Sequence, residues 1–90
     1  MDSLSNKERI CGKILSNEFT EMKLEYYLLS NEDWYGVGII KEDNENVEYE
    51  FVENISKNKK KILEYIDTLS RNTVTPMSLK DITEDKSIFK

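Results

Sequence analysis

Ninety residues, 38% hydrophobic and 34% charged, fit one small globular domain, and three Gly with one Pro argue against a long disordered stretch. A net charge of −5 makes nucleic acid and anionic membrane surfaces poor partners, because both attract Lys and Arg. The single cysteine, Cys11, excludes an internal disulfide, and the lack of histidine excludes histidine-based zinc sites, catalytic triads and imidazole bases.

In chain order, "RICGKIL" sets Ile10, Gly12 and Ile14 against Cys11, Lys13 and Leu15, which suits a strand; a helix over residues 5–16 is the alternative. Between Phe19 and Phe51 the pattern has period two. Met22, Leu24, Tyr26 and Leu28 alternate with Lys23, Glu25, Tyr27 and Leu29. "SNED" is a turn, and Tyr35, Val37 and Ile39 then alternate with Gly36, Gly38 and Ile40. "KEDNEN" is a second turn, after which Val47, Tyr49 and Phe51 alternate with Glu48 and Glu50. This predicts a three- or four-stranded antiparallel meander over about residues 8–53, with an aromatic and aliphatic inner face that needs a cover.

The cover is expected next. Ser56 is the predicted N-cap of a helix over 56–71, with Ile62, Ile66 and Leu69 on one stripe and Asn72 as its left-handed terminator. Thr75 caps and Pro76 opens a shorter helix over 76–87, with Met77, Leu79, Ile82 and Phe89 as its apolar positions; a strand over 78–83 is the alternative. The fold class is therefore α+β, a meander followed by two helices, in one domain spanning residues 1–90.

Lys57, Lys60 and Lys61 are a candidate anion site at a helix start. On a helical wheel Lys60 and Lys61 lie within about 60° of Lys57, opposite Ile62 and Ile66, and so the three read first as a solvated face. Two i,i+4 pairs, Lys60 with Glu64 and Asp67 with Arg71, are expected there. No glycine-rich loop precedes the helix, so a nucleotide cradle is not supported. Glu48 and Glu50, about 7 Å apart on the presumed open sheet face, read as solvated acids rather than an acid–base pair. "EDNEN" lacks the spacing of a calcium loop. Cys11, with no histidine to activate it, reads as an inert thiol. A two-residue turn at Asn31 and Glu32 would set Tyr27 opposite Gly36, its ring covering the glycine. That leaves Tyr27, Leu29, Trp34 and Ile40 on the outer face as a candidate interface, and Asp81, Glu84 and Asp85 as an acidic face on the last helix.

The phrases "LEYYLL", "YGVGIIKED", "VENIS" and "LSRNTVTPMSLKDITED" together resemble a family of small uncharacterised proteins of clostridia and related Firmicutes, a domain of unknown function. The resemblance covers roughly residues 20–86, and its most specific piece runs from Asn72 to Asp85. It implies a bacterial cytosolic protein with a sheet followed by two helices, and it carries over no catalytic residue. No apolar run is long enough for a membrane span or a signal-peptide core, so a cytoplasmic location is expected. The expected function is a non-enzymatic protein-binding or regulatory module, with no catalytic residues, metal or cofactor. The alternative is an acidic inhibitor that mimics nucleic acid. A protein partner is expected, direct nucleic-acid and membrane binding are not, and a free strand edge offers a route to a homodimer.

Overall fold

Alternating sequence becomes a sheet here because every strand has one side to bury. The computed structural model describes residues 6–16, 20–44 and 46–84. Four strands, β1 (Asn6–Ser16), β2 (Glu21–Asn31), β3 (Trp34–Asp43) and β4 (Asn46–Ser56), pair antiparallel in the order β1-β2-β3-β4. Two helices follow, α1 (Lys59–Arg71) and α2 (Pro76–Glu84). The expected α+β architecture is the observed one, and the "RICGKIL" segment is a strand.

The core lies between one sheet face and the helices. Leu24, Tyr26 and Leu28 of β2, Val37 and Ile39 of β3, Ile62, Ile66 and Leu69 of α1, and Leu79 of α2 form one buried cluster. Cys11, Leu15, Val52, Ile55 and Val74 pack around it. Burying each of the three α1 residues contributes about 2 kcal/mol, far more than helix propensity supplies, so α1 is held mainly by its stripe. Among the described residues no helix lies over the opposite sheet face.

Several local expectations are corrected. The first hairpin turns at Glu32 and Asp33, one residue later than expected, so Asn31 pairs with Trp34 and Tyr27 lies opposite Gly38 rather than Gly36. Glu32 supplies the positive φ (59°) that such a tight connection requires. The second hairpin also has a two-residue connection, because Asp43 pairs with Asn46. Each such turn makes the paired residue numbers sum to an odd value, so the buried parity flips from strand to strand. Even residues of β2 share a side with odd residues of β3 and even residues of β4. Val47, Tyr49 and Phe51 therefore lie on the uncovered face, and Glu48 and Glu50 lie on the helix side, the reverse of the predicted arrangement. The core takes Val52 and Ile55 instead, across an irregularity between Tyr35 and Val37 that leaves Asn54 at φ 56°.

The helix ends also shift. β4 continues to Ser56, so α1 begins later and Asn58, not Ser56, is its N-cap: Asn58 Oδ1 accepts from the Lys61 N–H at 3.1 Å. Ser56 Oγ accepts from the Asn58 N–H at 3.0 Å and fixes the approach to the cap. At the other end Asn72 is the C-cap at φ −96°, and Thr73 takes the left-handed position at φ 52°. The Thr73 N–H donates to the Ser70 carbonyl and the Val74 N–H to the Leu69 carbonyl, both at 3.0 Å, the two bonds of a Schellman ending. Thr75 does cap α2, its Oγ1 accepting from the Ser78 N–H at 3.4 Å, with Pro76 at the first helical position. The side chains of Ile82 and Glu84, together with Phe19, Asp85 and Phe89, lie outside the described residues.

Candidate functional site: the open sheet face and the β4 edge

The uncovered face divides into two halves of different chemistry. On the β1–β2 half, Arg9, Lys23 and Glu25 dominate. Arg9 Nη1 meets Glu25 Oε2 at 3.0 Å, Lys23 Nζ lies 3.8 Å from the same oxygen, and the Tyr27 hydroxyl donates to Glu25 Oε1 at 3.3 Å. The hydrogen bond from Arg9 holds the Glu25 carboxyl below the usual carboxylate range, against a partial desolvation that pushes the other way. The Tyr27 hydroxyl is pushed up by desolvation and then by the Glu25 charge.

The β3–β4 half is mainly apolar, with Glu42 opposite Val47 at one end. Val47 is 59% and Tyr49 65% exposed, Trp34 is 39% exposed, and Ile40 sits opposite Tyr49 across the strands. The Tyr49 and Phe51 rings stack with centroids 5.6 Å apart. The Phe51 ring covers Gly38, filling the space where a Cβ would stand. The ring-over-glycine device expected for Tyr27 and Gly36 is thus made by Phe51 and Gly38. Lys7 of β1 brings its Nζ to 5.2 Å from the Phe51 ring, across three inter-strand gaps of about 4.8 Å each, so the two side chains lean toward each other over the face. Leu29 lies on this face by register yet is 1% exposed, and so it belongs to the interior and not to the accessible surface.

Of the four residues predicted for this interface, Tyr27, Leu29, Trp34 and Ile40 do share one face, with Trp34 and Ile40 in its apolar half and Leu29 buried. Val47, Tyr49 and Phe51 were missed there. The signal that finds them is the parity of the two short turns, which demands knowing each turn to the residue.

The lysines have separate surroundings. Lys57 precedes α1 and places its Nζ 5.3 Å over the Trp34 ring. Lys60 lines the outer surface of α1 with Leu63, Asp67 and Arg71, and Lys61 is exposed in the first turn. The expected Asp67–Arg71 pair forms at 2.9 Å, whereas Lys60 and Glu64 form no ion pair.

A second feature lies along the β4 edge. Glu48, Tyr49 and Glu50 face Pro76, Met77, Lys80 and Asp81 of α2 across an open groove of about 440 Å³. Two acidic groups that looked separate in sequence, Glu48 with Glu50 and Asp81, are brought together here. Lys41 Nζ lies 3.8 Å from Glu48 and 3.9 Å from Asp43. Met77, 71% exposed, gives the groove an apolar lip. Glu84 and Asp85, expected on the same acidic face, fall outside the described side chains.

Among the described residues no three Cys, Asp or Glu side chains converge to hold a metal ion. Cys11 is half-buried on the helix side, opposite Tyr26. Among the described residues no helix is long and apolar enough to cross a membrane. The described surface sets an apolar aromatic strip beside an acidic strand edge. Neither the curated proteins nor the solved structures include a match to this chain. Residues 5–88 match the model of a family of unknown function, DUF6514, and the chain belongs to that family.

Proposed function

We propose that this protein is a non-enzymatic protein-binding or regulatory module of the bacterial cytosol, in a clostridial setting, and that it works through the apolar half of its open sheet face. The observation that carries this reading is the run of Val47, Tyr49 and Phe51 along β4, with Val47 and Tyr49 exposed and Trp34 at the far end of the same face, on a side of the sheet that no helix covers among the described residues. Aromatic residues clustered on an accessible surface are the usual anchors of a protein interface. Immobilised protein is expected to capture a partner from a clostridial lysate at high salt, and Trp34→Ala or Tyr49→Ser is expected to lose it. Capture that is indifferent to both changes would refute the reading.

A second reading is an acidic inhibitor that mimics nucleic acid. The gathering of Glu48, Glu50 and Asp81 along one edge favours it. Its signature is capture that moderate salt abolishes, because exposed charges are screened over about 8–10 Å at such ionic strength.

A further inference from the structure

We infer that the β4 edge accepts an extended, lysine- or arginine-bearing peptide segment of a partner protein as a fifth strand; this rests on the protein-binding reading and names its site and partner chemistry. Among the described residues the sheet ends at β4, so the outward N–H and C=O groups of this eleven-residue strand have no strand neighbour there. Such a row is a template for strand addition. The other edge is blunted. β1 carries a register shift between Arg9 and Cys11, and Lys13 points inward from it to the end of α1. Bulges and inward charges are the devices that protect an edge from pairing. In β4 the run from Asn46 to Val52 pairs with β3 without a register break.

The side chains beside this edge define what fits. An added strand alternates its residues between the two sides of the sheet. On the helix side it meets Glu48, Glu50 and Asp81, with Lys41 and Lys80 as the nearby cations. On the open side it meets Val47 and Tyr49, with Met77 at the groove lip. The complement is a segment with basic residues at every second position and aliphatic ones between. A second copy of β4 fits poorly: the antiparallel register that pairs the whole run from Asn46 to Val52 and keeps the apolar sides together sets Glu48 of each copy against Glu50 of the other.

The test uses the full chain and an eight-residue peptide alternating lysine and valine, with two controls: the same peptide with glutamate for lysine, and the lysine peptide N-methylated throughout. Amide exchange and titration by NMR are the readouts. The lysine peptide is expected to bind and to slow exchange at alternate residues of β4, while the N-methylated form binds at least about tenfold more weakly, because it lacks the main-chain donors. The glutamate peptide is expected not to bind. Glu48→Lys with Glu50→Lys should reverse that preference, and Glu50→Gln, which keeps the Lys41–Glu48 pair, should weaken the lysine peptide about threefold to tenfold by removing one exposed attraction. No binding of the lysine peptide, protection on β1 instead of β4, or indifference to N-methylation would each overturn strand addition. Capture of a partner that depends on Trp34 would still stand in that event, so the two readings fail separately.

Discussion

Thr73 holds a left-handed backbone at φ 52°, although a β-branched side chain crowds that region and glycine is the usual occupant. Its compensation comes from the far edge of the sheet. Lys13 Nζ donates to Thr73 Oγ1 at 3.1 Å and to the Ser70 carbonyl at 2.7 Å, placing a cation on the negative end of α1. Lys13→Met keeps the aliphatic stem and removes both bonds, and it is expected to cost about 1 kcal/mol in urea denaturation. Thr73→Gly is expected to be nearly neutral alone, since relief of strain offsets the lost acceptor, but to stabilise by about 1 kcal/mol in the Lys13→Met background. Equal effects in both backgrounds would show that Lys13 is not what holds Thr73 there. Tyr26 is the second residue that ties the helices down. It is fully buried, its hydroxyl donates to the Val74 carbonyl at 2.9 Å, and burial pushes its pKa from 10.0 up to about 12, with Cys11 a smaller contributor. A phenol raised on folding favours the folded state below its unfolded pKa and loses that contribution as pH climbs through the folded one. Stability is therefore expected to decline between about pH 10 and 12. Tyr26→Phe should cost about 1 kcal/mol at neutral pH and flatten the part of the alkaline decline that Tyr26 causes, which denaturant midpoints measured across that range will show.

At the scale of elements, the two glycines of β3 make different demands on their neighbours. A Cβ on Gly36 would collide with the backbone carbonyl of Val52, and its next nearest contact, the Glu53 Cα at 2.8 Å, is also backbone. A Cβ on Gly38 would strike the Phe51 ring, which can swing toward solvent. Gly36→Ala is thus expected to cost about 3 kcal/mol and Gly38→Ala about 1, with a change in Tyr49 and Phe51 ring packing for the latter only, measurable by thermal melts and aromatic NMR shifts. The same pair shows what was legible in advance. Alternation and helical periodicity were enough to place three strands and the first helix, with a strand favoured over a helix for residues 5–16 and a helix over a strand for 78–83, and the Ile62, Ile66 and Leu69 stripe named the face of α1 that packs. Register was not legible, because it hangs on turns whose residues are ambiguous. "SNED" offers several positions for a two-residue turn, and shifting it by one residue moves the pairing partner of Tyr27 by two. The orientation of β4 failed for a related reason. Val47, Tyr49 and Phe51 look like core residues by hydropathy, and only the odd pairing sum of a two-residue turn sends them to the open face. Caps slipped by one or two residues because Ser56 and Asn58 are both good N-caps, and the extra length of β4 chose between them.

For the molecule as a whole, the charges that meet on each side of the sheet were out of reach of the sequence, because their grouping depends on register. The open face mixes Lys7, Arg9 and Lys23 with Glu21, Glu25 and Glu42 around its aromatics, while the helix side of the β4 edge collects Glu48, Glu50 and Asp81. Glu48, Glu50 and Asp81 stood out in the sequence as separate acids, and only the register brings them to one edge. The first seven positions of the β4 edge strand, N-V-E-Y-E-F-V, have high β propensity, and Glu48 and Glu50 are the charges that interrupt that stretch. Placed side by side on one face, they repel the same pair on any second copy that approaches in register. Under the strand-addition proposal they are gatekeepers against self-association that leave the edge open to a basic segment. Glu48→Thr with Glu50→Thr removes both charges and substitutes a good strand former. The variant is expected to self-associate at concentrations where the unaltered chain remains monomeric, with new amide protection confined to β4, as sedimentation velocity across a concentration series and hydrogen exchange will report. A variant that stays monomeric throughout, or an unaltered chain that already dimerises with β4 protected, would show that these carboxylates do not guard the edge.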